Sequence, residues 1–264
     1  MDLNGTVSIV TGGASGIGAA SSKAFAAAGS RVAVVDLNSA GAQSVANDIG
    51  AIAVTCDVGD ETSVNDMIRT VERELGPVDV CFNNAGIATG GDPLTATPDV
   101  WNQQWAVNVM GHVYAVRALL PSMLERGSGY FLHTASMAGI LTSHGNAVYA
   151  ATKHAVVGLA EWLSITYHHR GIRTSLLAPL GVRTPMLGDT SSPFATMVAG
   201  DIKEPEDVAQ MVVDAIGEER FLILTDEIAQ EWMGRKTGDL ERWLRGMRRM
   251  QERIEEATRS RAAT

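Results

Sequence analysis

Residues 11–18 read Thr-Gly-Gly-Ala-Ser-Gly-Ile-Gly, "TGGASGIG", directly behind the apolar run Val7-Ser8-Ile9-Val10. The order is that of a strand passing into a helix through a turn of four glycines. Glycine tolerates positive φ and lets another group come within contact distance of the backbone. The N-terminus of the helix that follows offers unpaired N–H groups to an anion. The spacing, Gly12-x-x-x-Gly16-x-Gly18, differs from the common Gly-x-Gly-x-x-Gly dinucleotide pattern. Two readings of the turn therefore stand at this point: a cradle for a pyrophosphate, or a turn that only permits tight packing.

Outward from the turn, β-branched runs at residues 7–10, 31–35, 51–55, 78–82, 130–133, 173–177 and 221–224 alternate with helical spacing. The helical stretches include 17–28, 62–75, 101–120 and 149–169, and Gly29, Gly76 and Gly171 close three of them. Such alternation predicts an α/β doubly wound fold, a mostly parallel sheet with helices on both faces. Residues 1–226 are expected to form one domain and 227–264 a helical tail, where Leu240, Trp243, Leu244, Met247 and Ile254 recur at helical spacing. That tail packs on its own domain or on a sister subunit, or carries Trp232 or Met233 toward the ligand cleft.

The chain has 264 residues, 45% of them hydrophobic, enough for one sizeable core. A net charge of −9 argues against nucleic-acid binding, which needs a basic surplus to displace counterions. Only residues 231–264 are basic, with nine Lys or Arg against six Asp or Glu. Cys56 and Cys81 lie in apolar runs and read as buried thiols, and no metal site is expected. With neither a signal peptide nor a run long enough to span a bilayer, the expectation is a cytoplasmic protein with no membrane partner.

About twenty residues beyond the glycine turn, the second strand ends in Asp36. A carboxylate there accepts hydrogen bonds from ribose hydroxyls and repels a 2′-phosphate, so NAD is expected in preference to NADP. Its neighbours Ala14 and Leu37 supply no cation for such a phosphate. The alternative is an aspartate that caps the next helix. Further along, Tyr149 and Lys153 stand four apart on one helix face, with Ser136 upstream in "TASMAG". Bringing a phenol from about 10 to near 7 takes roughly 4 kcal/mol, which the Lys153 ammonium and a nicotinamide's positive charge are expected to share. Ser136 then hydrogen-bonds the substrate oxygen, or else satisfies local backbone.

Taken in order, "TGGASGIG", Asp36, Cys56-Asp57-Val58, "NNAG" at 83–86, "VNVMG" around Asn108, Ser136, and Tyr149 with Lys153 resemble the short-chain dehydrogenases/reductases. The resemblance covers roughly residues 3 to 225. It implies seven parallel strands with a nicotinamide dinucleotide across their carboxyl edge, a Rossmann arrangement. It implies cofactor contacts from Gly12, Ser15, Gly16, Ile17, Gly18, Asp36, Leu37, Asp57, Val58, Asn84, Ala85 and Gly86. Tyr149, Lys153, Pro179, Val182 and Thr184 complete that set, and Asn83 belongs to the segment that steadies the central strand. The implied catalytic residues are Asn108, Ser136, Tyr149 and Lys153. Asn108 is implied to hold, through its backbone carbonyl, a water beside the lysine.

Two departures bear on this. Pro179-Leu180-Gly181 replaces the family's usual Pro-Gly, so the turn either differs or adjusts through Gly181. The long charged tail replaces a short ending. Segments expected to line the substrate pocket offer Ile87, Met137, Ile140, Leu141, Met186, Leu187 and Phe194, favouring an apolar small-molecule secondary alcohol or ketone. His144 either hydrogen-bonds a polar substituent or is a solvated loop residue. The leading function is thus an NAD-dependent alcohol dehydrogenase or ketone reductase. A non-redox or cofactor-sensing member of the same fold is the alternative. The resemblance further implies a homotetramer, with a dimer as second choice.

Overall fold

The computed structural model describes residues 1–262, so residues 263 and 264 of the expected tail lie outside the described part. Seven strands form one parallel sheet in the order β3-β2-β1-β4-β5-β6-β7. They are β1 (Val7–Thr11), β2 (Arg31–Asp36), β3 (Ile52–Thr55), β4 (Val80–Asn83), β5 (Gly129–Thr134), β6 (Ile172–Ala178) and β7 (Leu222–Leu224). The order reverses beside β1, which leaves a crevice at the carboxyl ends of β1 and β4.

Successive side chains of a strand point to opposite faces, and here both faces are covered. On one side α1 (Gly16–Ala27), α2 (Ser39–Ile49) and α9 (Pro205–Glu218) bury Phe25, Val45 and Val212 against Val10, Val34 and Phe82. On the other, α3 (Glu61–Leu75), α5 (Gly111–Arg126) and α7 (Ala147–Tyr167) bury Ile68, Leu119 and Leu163 against Ile9, Val35 and Phe131. That double burial is why the strands read as nearly continuous apolar runs. Both cysteines are free and buried, and burial pushes the Cys81 thiol up to about 12.

The helix expected over 101–120 is not continuous. It comprises α4 (Pro98–Trp105), a wider π turn at Ala106–Met110, and α5, which runs on past Pro121 to Arg126. The π turn contains Asn108, and such insertions recur at functional sites because they release backbone groups from the helical ladder. The short helices α6 (Ala138–Leu141) and α8 (Pro193–Val198) follow β5 and β6, and after β7, α10 (Glu227–Gly238) and α11 (Leu240–Ala262) turn back over the domain. Trp232, Met233 and Trp243 pack against Met137, Leu141 and Ala178, so the tail is seated on its own chain. No helix among the described residues is long and apolar enough to cross a membrane.

Candidate active site

The carboxyl edge of the sheet opens into a cleft of about 1620 Å³. Pockets for one small ligand hold roughly 300–1,000 Å³, so this volume suits a dinucleotide together with a substrate. Its walls include Gly12, Ser15, Gly16, Ile17, Asp36, Leu37, Asp57, Val58, Asn84, Ala85 and Gly86 at one end. Ser136, Met137, His144, Tyr149, Lys153, Pro179, Val182, Thr184, Met186 and Leu187 line the rest. Gly18 stands behind this wall, and Asn108 is fully buried beneath it.

The glycine turn has features that suit both of the uses read from its sequence. A Cβ at Gly18 would lie 2.1 Å from the carbonyl oxygen of Gly12, so that glycine is required by the protein's own packing. Gly16 has φ +51°, in the left-handed region. At the same time, α1 begins at Ser15 without a side-chain cap and has no acidic residue in its first turn. Its N–H groups thus face the cleft unneutralised, as an anion site requires. These residues fit a dinucleotide pyrophosphate.

Asp36 is not the helix cap. Asn38 caps α2 by accepting from Gly41 N at 3.1 Å, while Asp36 accepts from Ala14 N at 3.0 Å and from Asn38 N at 2.9 Å. The carboxylate therefore braces the glycine turn and keeps acceptor capacity toward the cleft, since an ionised carboxylate has about four acceptor positions. Asp57 accepts from Gly59 N at 2.9 Å, fixing the loop that carries Val58.

Tyr149 and Lys153 lie on the first turns of α7, whose N-cap Asn146 accepts from Tyr149 N at 3.0 Å. The Lys153 ammonium lies 5.6 Å from the Tyr149 ring centroid and donates to the Thr134 carbonyl at 2.8 Å. The Asn108 side chain is committed to Ile87, accepting from its N–H at 2.8 Å and donating to its carbonyl at 2.9 Å. It also donates to Thr152 Oγ1 at 3.1 Å, which ties the π turn to α7.

Burial pushes the Tyr149 phenol above its ordinary value, and a hydrogen bond with Ser136 pulls it part of the way back. Burial lowers Lys153 to about 8, and its ammonium donates to a backbone carbonyl. Within the protein alone, desolvation wins.

At Leu180 the first of the two options holds: the turn differs from one that needs a left-handed residue. Neither it nor Gly181 takes positive φ. Gly181 is needed for close approach instead, because a Cβ there would lie 2.9 Å from both Cβ and the carbonyl oxygen of Ala199. His144 is not a solvated loop residue: its Nδ1 bonds Gln251 Oε1 of α11 at 2.9 Å.

Some supporting residues escaped the sequence reading. Thr11 Oγ1 accepts from the N–H groups of Asn84 and Ala85 at 2.9 and 3.0 Å, joining β1 to the "NNAG" segment. Thr134 receives Lys153. Hydroxyls at the carboxyl ends of central strands were the available signal.

The family model for short chain dehydrogenase matches residues 6–195. The chain belongs to the short-chain dehydrogenase/reductase family. It is 37% identical over 239 residues to 1-deoxy-11-beta-hydroxypentalenate dehydrogenase of Streptomyces exfoliatus, covering 87% of this chain and 86% of that one. It is 35% identical over 224 residues to 2,5-dichloro-2,5-cyclohexadiene-1,4-diol dehydrogenase of Sphingobium indicum, covering 80% of this chain and 90% of that one. A short-chain dehydrogenase/reductase from Burkholderia phymatum in complex with NAD superposes with a TM-score of 0.83 at 28% identity, over 91% of this chain and 96% of that chain. The family fold and an oxidoreductase activity follow from these matches.

Proposed function

We propose that this protein interconverts a secondary alcohol and a ketone on a largely apolar small molecule, using NAD(H) in preference to NADP(H). The observation that carries the reading is the convergence of Ser136, Tyr149 and Lys153 on one cleft with the uncapped start of α1. The names of several relatives, dehydrogenases of hydroxylated compounds, support it.

A dinucleotide would be held by the glycine turn, Asp36, Asp57, Val58 and residues 84–86, with Val182 and Thr184 at its far end; when bound it supplies the hydride acceptor or donor. The remaining chemistry is the chain's own. Ser136 orients the substrate oxygen. Tyr149 removes the alcohol's proton in oxidation, or donates a proton to the carbonyl oxygen in reduction. Lys153, lowered to about 8, remains mostly protonated at neutral pH and provides the nearby positive charge. Asn108 holds the π turn against α7, leaving its backbone carbonyl to anchor a water beside Lys153. Apolar walls restrict water around these groups.

The acidic side chain at the end of β2 carries the NAD preference, with no lysine or arginine beside it in the lining. The same reading includes a cytoplasmic homotetramer, in which the outer face of α7 is covered. Trp162 and Ile165 on that helix are 55% and 81% exposed, an apolar surface suited to burial between subunits. Light scattering after size exclusion measures the copy number.

The decisive experiment is Tyr149→Phe, assayed at 340 nm against apolar cyclic secondary alcohols with NAD. Turnover is expected to fall by about 10²–10⁴-fold, the usual contribution of general acid–base catalysis, with NAD affinity retained. Unchanged turnover would overturn the mechanism.

A further inference from the structure

The relation of α11 to the cleft raises a question that the catalytic groups leave open. The helix crosses the mouth, anchored on one bank by Gln251 to His144 and on the other by Arg261 to Asp189 at 2.9 Å. The face it turns to the cleft includes Arg242, Trp243, Gly246, Met247, Arg249 and Met250. Most of the facing wall is apolar, with Met137, Leu141, Met186, Leu187, Phe194 and Trp232.

Two features of this roof bear on what it could hold. First, Arg242 and Arg249 are the α11 arginines that line the cleft; both are exposed, and neither has a side-chain hydrogen bond or ion pair among the described residues, whereas Arg245, Arg248, Arg253 and Arg259, equally without such a pair, lie outside the lining. Asp239, the one acidic residue beside them in the lining, accepts from the backbone N–H of Arg242 at 2.9 Å. Second, Gly246 lies between the two arginines, four residues after one and three before the other, on the same helix face. Glycine within a helix costs stability relative to alanine, yet a Cβ at Gly246 would meet nothing within 4 Å. The same holds at Gly234 of α10, another cleft-lining position. Gly246 thus leaves a notch in the helix face that lines the cleft, with an arginine of the same lining about one turn to either side.

We propose that Arg242 and Arg249, with the notch at Gly246, form a subsite for a carboxylate carried by an otherwise apolar substrate. Guanidinium groups match a carboxylate by paired, charge-assisted hydrogen bonds, while the methionine and tryptophan side chains cover the carbon skeleton. The substrate would then be a hydroxy acid or keto acid, with its reacting oxygen at Ser136 and Tyr149 and its carboxylate under α11. This rests on the alcohol–ketone reading above. A phosphate of the dinucleotide is the other anion that could meet these arginines, and the test separates the two.

The probes are a decalin carboxylic acid bearing a ring hydroxyl and its methyl ester, titrated by calorimetry into the NAD-loaded protein. The acid is expected to bind at least about tenfold tighter than the ester, and Arg242→Gln/Arg249→Gln is expected to collapse that ratio. Gly246→Leu, which fills the notch, is expected to weaken the acid by a similar factor without lowering the melting temperature, since leucine favours the helix. Equal affinities, no binding of the acid, or a ratio that survives the double substitution overturns the proposal. So does a loss of NAD affinity in the double variant with the ratio intact, which assigns the arginines to the cofactor. Acid binding with the expected ratio but no NADH formation leaves the subsite standing and removes the redox reading. NADH formed equally well from both probes does the reverse.

Discussion

The two ends of the cleft are built in different ways. At the glycine turn, the wall is made of backbone and short side chains from the ends of β1, β2 and β4, braced by Asp36, Thr11 and Asn84 within one sheet edge. At the other end, the wall is made of long side chains from α10 and α11, from residues 137–146 and from the segment after β6, brought together across the fold. The first end is rigid because strand register fixes it. The second is a surface assembled by side-chain packing, and can vary without disturbing the sheet.

Substitutions at each end are expected to separate these two kinds of wall. The largest effect belongs to Gly18→Val, which drives a branched side chain into the Gly12 carbonyl. NAD affinity is expected to fall by about 100-fold or more, roughly 2.7 kcal/mol, and an unchanged dissociation constant by calorimetry would show that the turn does not hold the cofactor. Next is Asp36→Ser, which removes the carboxylate that would repel a 2′-phosphate. The NAD-to-NADP ratio of kcat/KM is expected to drop by some tens-fold, and a ratio that stays put breaks the assignment. At the other end, Trp243→Ala is expected to raise substrate KM by about tenfold while leaving the dissociation constant for NAD alone. If both move together, the two ends are not independent.

The smallest expected effect concerns a buried pair beneath the catalytic edge. His112 Nδ1 and His133 Nδ1 lie 2.9 Å apart, and burial lowers both, His133 to about 3. The unfolded chain takes up a proton near 6.5, whereas the folded chain resists until about 3, so stability is lost as pH falls through that interval. His133→Gln is expected to melt a few degrees lower than the parent at pH 7, with the gap closing toward pH 4. A gap that stays constant in thermal melts would show that the pair does not contribute to the acid sensitivity.

Much of the first end was legible from residues 11–18 and Asp36, because a turn between a strand and a helix is a local object and its glycines answer to local geometry. The seven strands were legible for a similar reason: burial on both faces demands unbroken apolar runs. The strand ends nevertheless shifted, as at β4, which starts at Val80 rather than residue 78. The π turn at Ala106–Met110 was not legible from apolar spacing, since an inserted residue shifts the phase of the stripe without interrupting it.

Local patterning along the chain sets the alternating strands and helices, the glycine turn, and the chemical types present at Ser136, Tyr149 and Lys153. The burial that raises the phenol is tertiary, because desolvation depends on everything packed around Tyr149 and not on its neighbours along the chain. The tertiary structure likewise decided where the tail goes: helical spacing marks an apolar stripe but not the surface that receives it. That surface is the mouth of the cleft, where Trp243 is half-buried beside Met137 and Leu141 while Leu240 and Leu244 of the same stripe stay exposed.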